Sequence, residues 1–380
     1  MEMSAHAPWH IFEQTLHDPW TLAAEWKQQT GGPVIGHLLP DVPEELIHAA
    51  GALPIALTGA GVRAARAHAL IPGYTCSHAM GVLERALTGQ LEILDGMVIP
   101  YVCDTTRNLH HIWRRAFPKM WCEFLRLPKR LEHPGARDYL KEEFSRMREA
   151  LCRHTHRAAT DEALEESFCL YNKSRAKLRE AYERHRKDPS TWSIRRLHAL
   201  VASAQCAPRD LHLQWMERLP WNTEADEASH CRVPLYVRGK IWDPPELPEL
   251  LDGLGFVVVG DEMVTGYRSV GEDVHLGGDP LEALVERHMR LIPYAGYHLS
   301  PREVVDGFLR RVEQSGAAGV LILDPKFCEA AGFDSPDLRQ GLRRRGVPLL
   351  ALETSDRGGA VGALRVRLEA FAEMLSQTVP

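Results

Sequence analysis

An α/β architecture, two doubly wound parallel sheets joined by a helical segment, is what this 380-residue sequence predicts, and three observations carry it. Over roughly residues 1–134, short apolar runs alternate with amphipathic stretches, the pattern of strand–helix units in a parallel sheet. Over 135–230 the chain turns charged and rich in helix formers, with almost no Gly or Pro as far as Lys187. From 231 to 380 the strand–helix alternation returns.

In order, Gly31–Pro40 predicts a first strand and Pro43–Gly51 a short helix, with Pro in its first turn and Gly as its stop. Leu53–Thr58 reads as the next strand. Strands at 67–72, 97–102 and 121–127, with helices at 78–89 and 104–116, continue the alternation. In the middle segment DYLKEEFSRMREALCRH and DEALEESFCLYNKSRAKLREAYERHRK place apolar residues at three- and four-residue spacing, and Trp192–Leu219 continues in kind. The last part predicts strands at Val233–Val237, Phe256–Gly260, 319–323 and 347–352. Its helices fall at Pro245–Leu254, Pro301–Gly316, 336–345 and Leu364–Met374.

Composition narrows the function. A net charge of −6 and a pI of about 6.3 argue against a general nucleic-acid surface, which needs a basic excess. No apolar run approaches the roughly 20 residues of a membrane span. The first twenty residues have neither the basic start nor the apolar core of a secretory signal, so a cytoplasmic location is expected. Eight cysteines without any CxxC exclude zinc ribbons and thioredoxin-type pairs, so a metal site here must be assembled from distant pieces of chain. A P-loop, a helix-borne HExxH and a GxSxG elbow are all absent. Gly59-Ala-Gly61-Val-Arg-Ala64 matches a dinucleotide fingerprint, but no acidic residue stands about 20 positions on, and it reads as a tight glycine-rich turn.

Three cysteines differ from the rest. Cys103 ends the apolar run Met97–Val102 and is followed at once by Asp104-Thr-Thr-Arg-Asn108, which starts a helix. Cys76 follows His68–Thr75, and Cys328 follows Gly319–Phe327, in comparable settings. Ligands of open α/β sheets sit at the carboxyl ends of strands. Position alone leaves open whether the three thiols meet; if they do, soft sulfur donors suit an iron–sulfur cluster or zinc. Cys122, Cys152, Cys169, Cys206 and Cys231 read as small core residues. Asp104 reads as a helix cap, His110 and His111 as surface or supporting residues, and Glu44 and Glu45 as carboxylates favoured at a helix start. Arg343–Arg345 reads as a solvated cluster at a helix end.

With these stretches in view, the chain resembles the subunits shared by 2-hydroxyacyl-CoA dehydratases and ATP-dependent benzoyl-CoA reductases, over roughly 20–376. The resemblance rests on GGPVIGHLLPDVPEELIHAAGALPIAL, ALTGQLEILDGMVIPYVCDTTRNLHHIW, LYNKSRAKLREAYERHRKDP, PPELPELLDGLGFVVVGDEMVTGYR and AGVLILDPKFCEAAGFDSPDLRQGLRRRGVPLLALET. It implies two Rossmann/flavodoxin-like domains with a 4Fe–4S cluster between them, held by Cys76, Cys103 and Cys328 with one iron position open. The implied partners are a homologous second catalytic subunit, an ATP-hydrolysing iron–sulfur activator, ferredoxin as electron donor and a CoA-thioester substrate. The implied activity is low-potential electron transfer to the ring of benzoyl-CoA or another aryl-CoA, as in the smaller catalytic subunit of the reductase. The alternatives are radical elimination of water from a 2-hydroxyacyl-CoA, a non-catalytic electron relay and a double-cubane-type reductase. Two stretches depart from the family pattern: Glu-Ala-Ala-Gly-Phe-Asp after Cys328, and the loop from Asp356.

Overall fold

The computed structural model describes residues 9–219, 221, 232–293, 295–354 and 360–377. Helices α1 (His10–His17) and α2 (Pro19–Thr30) come first. The Asp18 carboxylate caps α2, accepting from the amides of Trp20 and Thr21 (3.1 and 3.3 Å). There follow β1 (Val34–Leu38), α3 (Glu44–Ala49), β2 (Leu53–Leu57), α4 (Ser77–Leu87), β3 (Gly96–Pro100), α5 (Asp104–Ala116) and β4 (Trp121–Leu125). The four strands form one parallel sheet in the order β2-β1-β3-β4. Every residue of β1, β2 and β3 is buried, as a sheet covered on both faces requires. Ile35, Ala56 and Val98 enter one core, while Val34, Ile55 and Met97 enter the other with residues of α4 and α5.

Helices α6 (Ala136–Thr155), α7 (Asp161–Lys187), α8 (Ile194–Ser203) and α9 (Arg209–Glu217) make up the charged middle of the chain. The caps are local: Thr160 accepts from the Ala163 amide and Ser193 from the Arg196 amide. One face of α6 (Leu140, Phe144, Met147, Leu151) packs under the first sheet, and α7 packs on both α3 and a strand of the second sheet.

The second sheet repeats the first. Its elements are β5 (Val233–Arg238), α10 (Leu247–Gly253), β6 (Phe256–Asp261), α11 (Tyr267–Val270), α12 (Pro280–Arg290), α13 (Pro301–Ser315), β7 (Gly319–Pro325), α14 (Glu329–Arg344), β8 (Leu349–Thr354) and α15 (Ala360–Ser376). The order β6-β5-β7-β8 is again parallel. Leu235, Val258 and Leu321 face a core with α10 and α15, and Tyr236, Val320 and Ile322 face one with α13 and α14. In both sheets the strand order reverses at the second pair, between β1 and β3 and between β5 and β7, which opens a crevice at their carboxyl ends.

The structure corrects four expectations. Residues 67–72 are not a strand: Ala67–Ala69 is a single 3₁₀ turn, and Leu70 is 44% exposed. Pro72-Gly73 and the lack of a partner strand leave this run no ladder to join. The helix expected at 336–345 starts seven residues earlier, at Glu329, and carries Pro336 inside it. Helices α1, α2, α11 and α12 were not expected. Finally α12 and Tyr297, late in the chain, belong to the core of the first sheet through Leu284, Val285 and the Tyr297 ring. Cys231 and most of the 220–231 stretch lie outside the described residues.

The Gly59–Ala64 turn shows what its glycines do. No α-helix begins until Ser77, so no α-helix N-terminus is offered to a phosphate. Instead Gly59 and Gly81 touch: a Cβ on Gly81 would stand 2.5 Å from the Gly59 carbonyl oxygen. That contact seats α4, whose N-cap is Cys76. Gly81→Val is expected to cost about 1–3 kcal/mol through overpacking, read as a fall in the thermal midpoint. An unchanged midpoint would mean that α4 shifts freely here.

Candidate cofactor site

Each of the three singled-out thiols is the N-cap of a helix: Cys76 of α4, Cys103 of α5 and Cys328 of α14. Each of the three therefore stands at the positive end of a helix dipole. Cys103 and Cys328 lie three residues past the ends of β3 and β7, the strands that flank the two reversal points. Cys76 differs from expectation in that it ends the long loop after β2 rather than a strand. Between β7 and α14 the chain turns sharply at Phe327 (φ 61°), a conformation rare for a bulky residue.

The three thiols share one neighbourhood. Burial pushes the Cys76 thiol up, the buried Lys240 ammonium pulls it down, and the Cys328 and Cys103 sulfurs beside it push it up again. Cys328 follows a strand of the second sheet, yet it packs against both cores of the first, the one that Cys103 also packs on and the one that holds Cys76. Among the described residues no three His, Cys, Asp or Glu side chains converge on a point that would hold a single metal ion. A cubane makes a different demand, one thiolate on each of several irons, so its ligands stand apart around it. Three soft donors at three helix starts, with a buried cation alongside, fit that demand.

Cys103 also walls a cavity of about 640 Å³, within the size range of small-ligand pockets. Tyr101, Val102 and Cys103 bound it from the first sheet, and Tyr297, Leu299 and Phe333 from the other side. Lys129, just past β4, is the one Lys or Arg among its lining residues. Its Nζ lies 4.4 Å from the Tyr101 ring centroid and donates to the Gly296 carbonyl at 3.3 Å. Burial pushes Lys129 down, and the acidic groups around it (Cys103, Asp104, Asp41, Glu329) hold it up.

Behind the cavity lies a buried charged network that the sequence did not announce. Asp41, in the left-handed region just after β1, pairs with Arg268 and accepts the Tyr297 hydroxyl at 2.6 Å. Glu44 pairs with Arg209, and Glu45 with Arg175. These carboxylates do more than favour a helix start: they tie α3 to α7 and α9. The signal was present only as three acids within five residues, 41–45, which no local rule distinguishes from a solvated turn.

Other expected residues fall as follows. Thr106, not Asp104, completes the cap of α5, its Oγ1 accepting from the amides of Val102 and Cys103 (3.2 and 3.3 Å). Asp104 is exposed, pairs with Arg107 at 3.4 Å and reaches the cavity rim. Asn108 and His111 are exposed, whereas His110 is buried, stacks on Phe124 (4.5 Å) and is pushed down to about 4 by that burial. Burial pushes Cys122 and Cys206 up to about 12, as expected of inert core thiols. Cys152 accepts the Ala159 amide at 3.2 Å, and Cys169 is half-buried on α7. Arg343, Arg344 and Arg345 are exposed at the end of α14. No helix among the described residues is long and apolar enough to cross a membrane.

The chain is 25% identical over 366 residues to one of the subunits of benzoyl-CoA reductase of Thauera aromatica, covering 94% of each. It is 26% identical over 376 residues to the beta subunit of (R)-2-hydroxyglutaryl-CoA dehydratase of Acidaminococcus fermentans, covering 96% of this chain and 98% of that one. The beta subunit of lactoyl-CoA dehydratase of Anaerotignum propionicum is 24% identical over 354 residues, covering 92% and 94%. All three are named as subunits of reductase or dehydratase enzymes. A family profile matches residues 41–375, and on that match the chain belongs to the family described as 2-hydroxyglutaryl-CoA dehydratase, D-component.

Proposed function

We propose that the chain is an iron–sulfur subunit of an ATP-dependent aryl-CoA reductase of the benzoyl-CoA reductase type. A 4Fe–4S cluster held by Cys76, Cys103 and Cys328 would supply single electrons of very low potential, received from a ferredoxin-fed, ATP-hydrolysing activator. What supports the reading is that three thiols at three helix starts lie in one neighbourhood, where Cys328 packs against the cores that take Cys103 and Cys76, beside a cavity walled by Cys103. The chain's own residues then have three tasks. Val102, Leu299 and Val304 keep water from the acyl group, so that an electron is not lost to protons. The Lys129 ammonium takes the negative charge that gathers on the thioester oxygen as the electron arrives. Exposed aromatics beside the thiols (Tyr74 and Phe333 at 73%, Phe327 at 46%) form the face against which a homologous second subunit packs.

A second reading, a subunit of a 2-hydroxyacyl-CoA dehydratase, is favoured by the dehydratase names of the family and of two of the relatives above. The complex purified without oxygen, given activator, ATP and reductant, tests both. Diene formed from benzoyl-CoA supports the reductase. Loss of water from a 2-hydroxyacyl-CoA with no diene overturns it in favour of the dehydratase.

Lys129→Met is expected to lower kcat about 10²-fold with a smaller change in KM, as for removal of one preorganised donor. Lys129→Arg should restore part of it. Equal loss in kcat/KM and in affinity for a non-reacting CoA thioester, with kcat intact, would reduce Lys129 to a binding contact.

A further inference from the structure

A second pocket, of about 350 Å³, shares no lining residue with the cavity beside Cys103. It lies where the carboxyl end of β2 and the loop after β5 meet the α1–α2 corner and α8, on the ligand-bearing edge of both sheets. Its lining mixes polar groups, Thr58, Gln205 and Thr265 among them, with the Trp20 and Trp242 indoles, Leu57 and Ile241, and the His198 ring lies edge-on to Trp242 at 5.9 Å. One guanidinium, Arg85, enters it. Arg85 bonds the neutral Gln90 carboxamide at 2.9 Å, and among the described residues no carboxylate pairs with it. The one lining carboxylate, Glu13, is taken by Arg195 in a two-point contact (2.8 and 3.0 Å). The pocket thus offers stacking faces and one uncompensated positive fork.

We infer that this pocket binds a small aromatic carboxylate, its ring between the indoles and its carboxylate on Arg85. Offset or edge-on ring contacts stabilise a flat apolar body. A guanidinium recognises a carboxylate through two parallel N–H donations. A nucleotide fits less well: the neighbouring Gly59–Gly61 turn has no α-helix N-terminus behind it to hold a phosphate, and one arginine answers one negative charge. In volume the pocket stands near the lower end of the range for small-ligand sites, about 300–1,000 Å³. The pocket's chemistry stands apart from the reaction proposed above, and only the source of its ligand rests on that reading. Where a protein handles aryl thioesters, the free acid is what their hydrolysis leaves, which gives such a site a ligand to report on.

Titration calorimetry on the full chain, with the partners that purify with it, tests this with benzoate, benzamide and adenosine monophosphate as probes. Benzoate should bind one per chain, at least tenfold more tightly than benzamide, with no saturable heat from the nucleotide. Arg85→Met and, independently, Arg85→Gln should weaken benzoate at least tenfold, and Trp242→Leu should also weaken it. Lys129→Met should leave it unchanged. Overturning results are no saturable benzoate heat at tens of millimolar, equal affinity for benzamide, retained affinity in both Arg85 variants, or loss in Lys129→Met. The benzamide comparison needs no variant, so it decides the matter even if a substitution unfolds the chain.

Discussion

Cys103→Ala, purified without oxygen, is expected to lose its iron and acid-labile sulfide while keeping its secondary structure and thermal midpoint within a few degrees. The half-buried sulfur lies 3.9 Å from Thr106 Oγ1 and accepts the Thr106 amide in the capping box of α5, and a thiol makes only weak bonds of this kind. The start of α5 is held by Thr106 Oγ1 accepting two backbone amides, which an alanine at 103 leaves intact. A three-thiolate cluster has no spare protein ligand, so one deletion should release it. Cys76→Ala and Cys328→Ala should behave alike in iron content, although Cys76 is 5% exposed and its loss also opens a small void. Cys152→Ala is the contrast: it loses an amide partner worth about 1 kcal/mol and no iron. Full iron in Cys103→Ala would remove this residue from the ligand set and take the electron-transfer reading with it.

Glu45→Ala is expected to be the most damaging single change away from the thiols. Glu45 and Arg175 are 1% and 5% exposed, and deleting one partner of a buried pair typically costs about 3–5 kcal/mol, because the other charge stays behind unpaired. Replacing both, as Glu45→Met with Arg175→Met, should cost less than either single change. A double variant as unstable as the sum of the two would show that the residues act separately. The pair also sets an acid limit. Burial pushes the Glu45 carboxyl up, but Arg175 and Arg287 beside it prevail and hold it at about 2, against 4.5 for the free group. Its stabilisation is therefore complete above about pH 4.5 and is lost as pH falls toward 2. The drop in stability between pH 4.5 and 2 should be smaller in the double variant; an unchanged drop would assign the acid sensitivity to other carboxylates.

Local pattern decided much of the scaffold. Fully buried strands such as Met97–Ile99 and Val257–Val258 show as short apolar runs, and helix starts and stops are written in Pro, Ser, Thr, Asp and Gly at fixed offsets. These signals depend on neighbours within a few residues, so they survive without the fold. They placed Cys103 and Cys328 correctly, because a strand exit followed by a helix start is itself a local event. The same rule misread 67–72, where apolar residues without a partner strand became a turn, and so it reached Cys76 for a wrong local reason.

What only the tertiary structure decided is whatever requires two distant segments to be held together. Cys76 and Cys328 stand 252 positions apart in the chain, and their approach comes from the packing of the second sheet's β7–α14 turn against both cores of the first. Lys129 became the cavity's cation only because the 295–299 segment folds back over Tyr101. Arg175, Arg209 and Arg268 are ordinary charged residues of amphipathic or polar stretches until burial against Glu45, Glu44 and Asp41 makes each charge dependent on its partner. Periodicity reports which face of an element is apolar; it does not report which other element covers that face, and in this protein the site lies between elements.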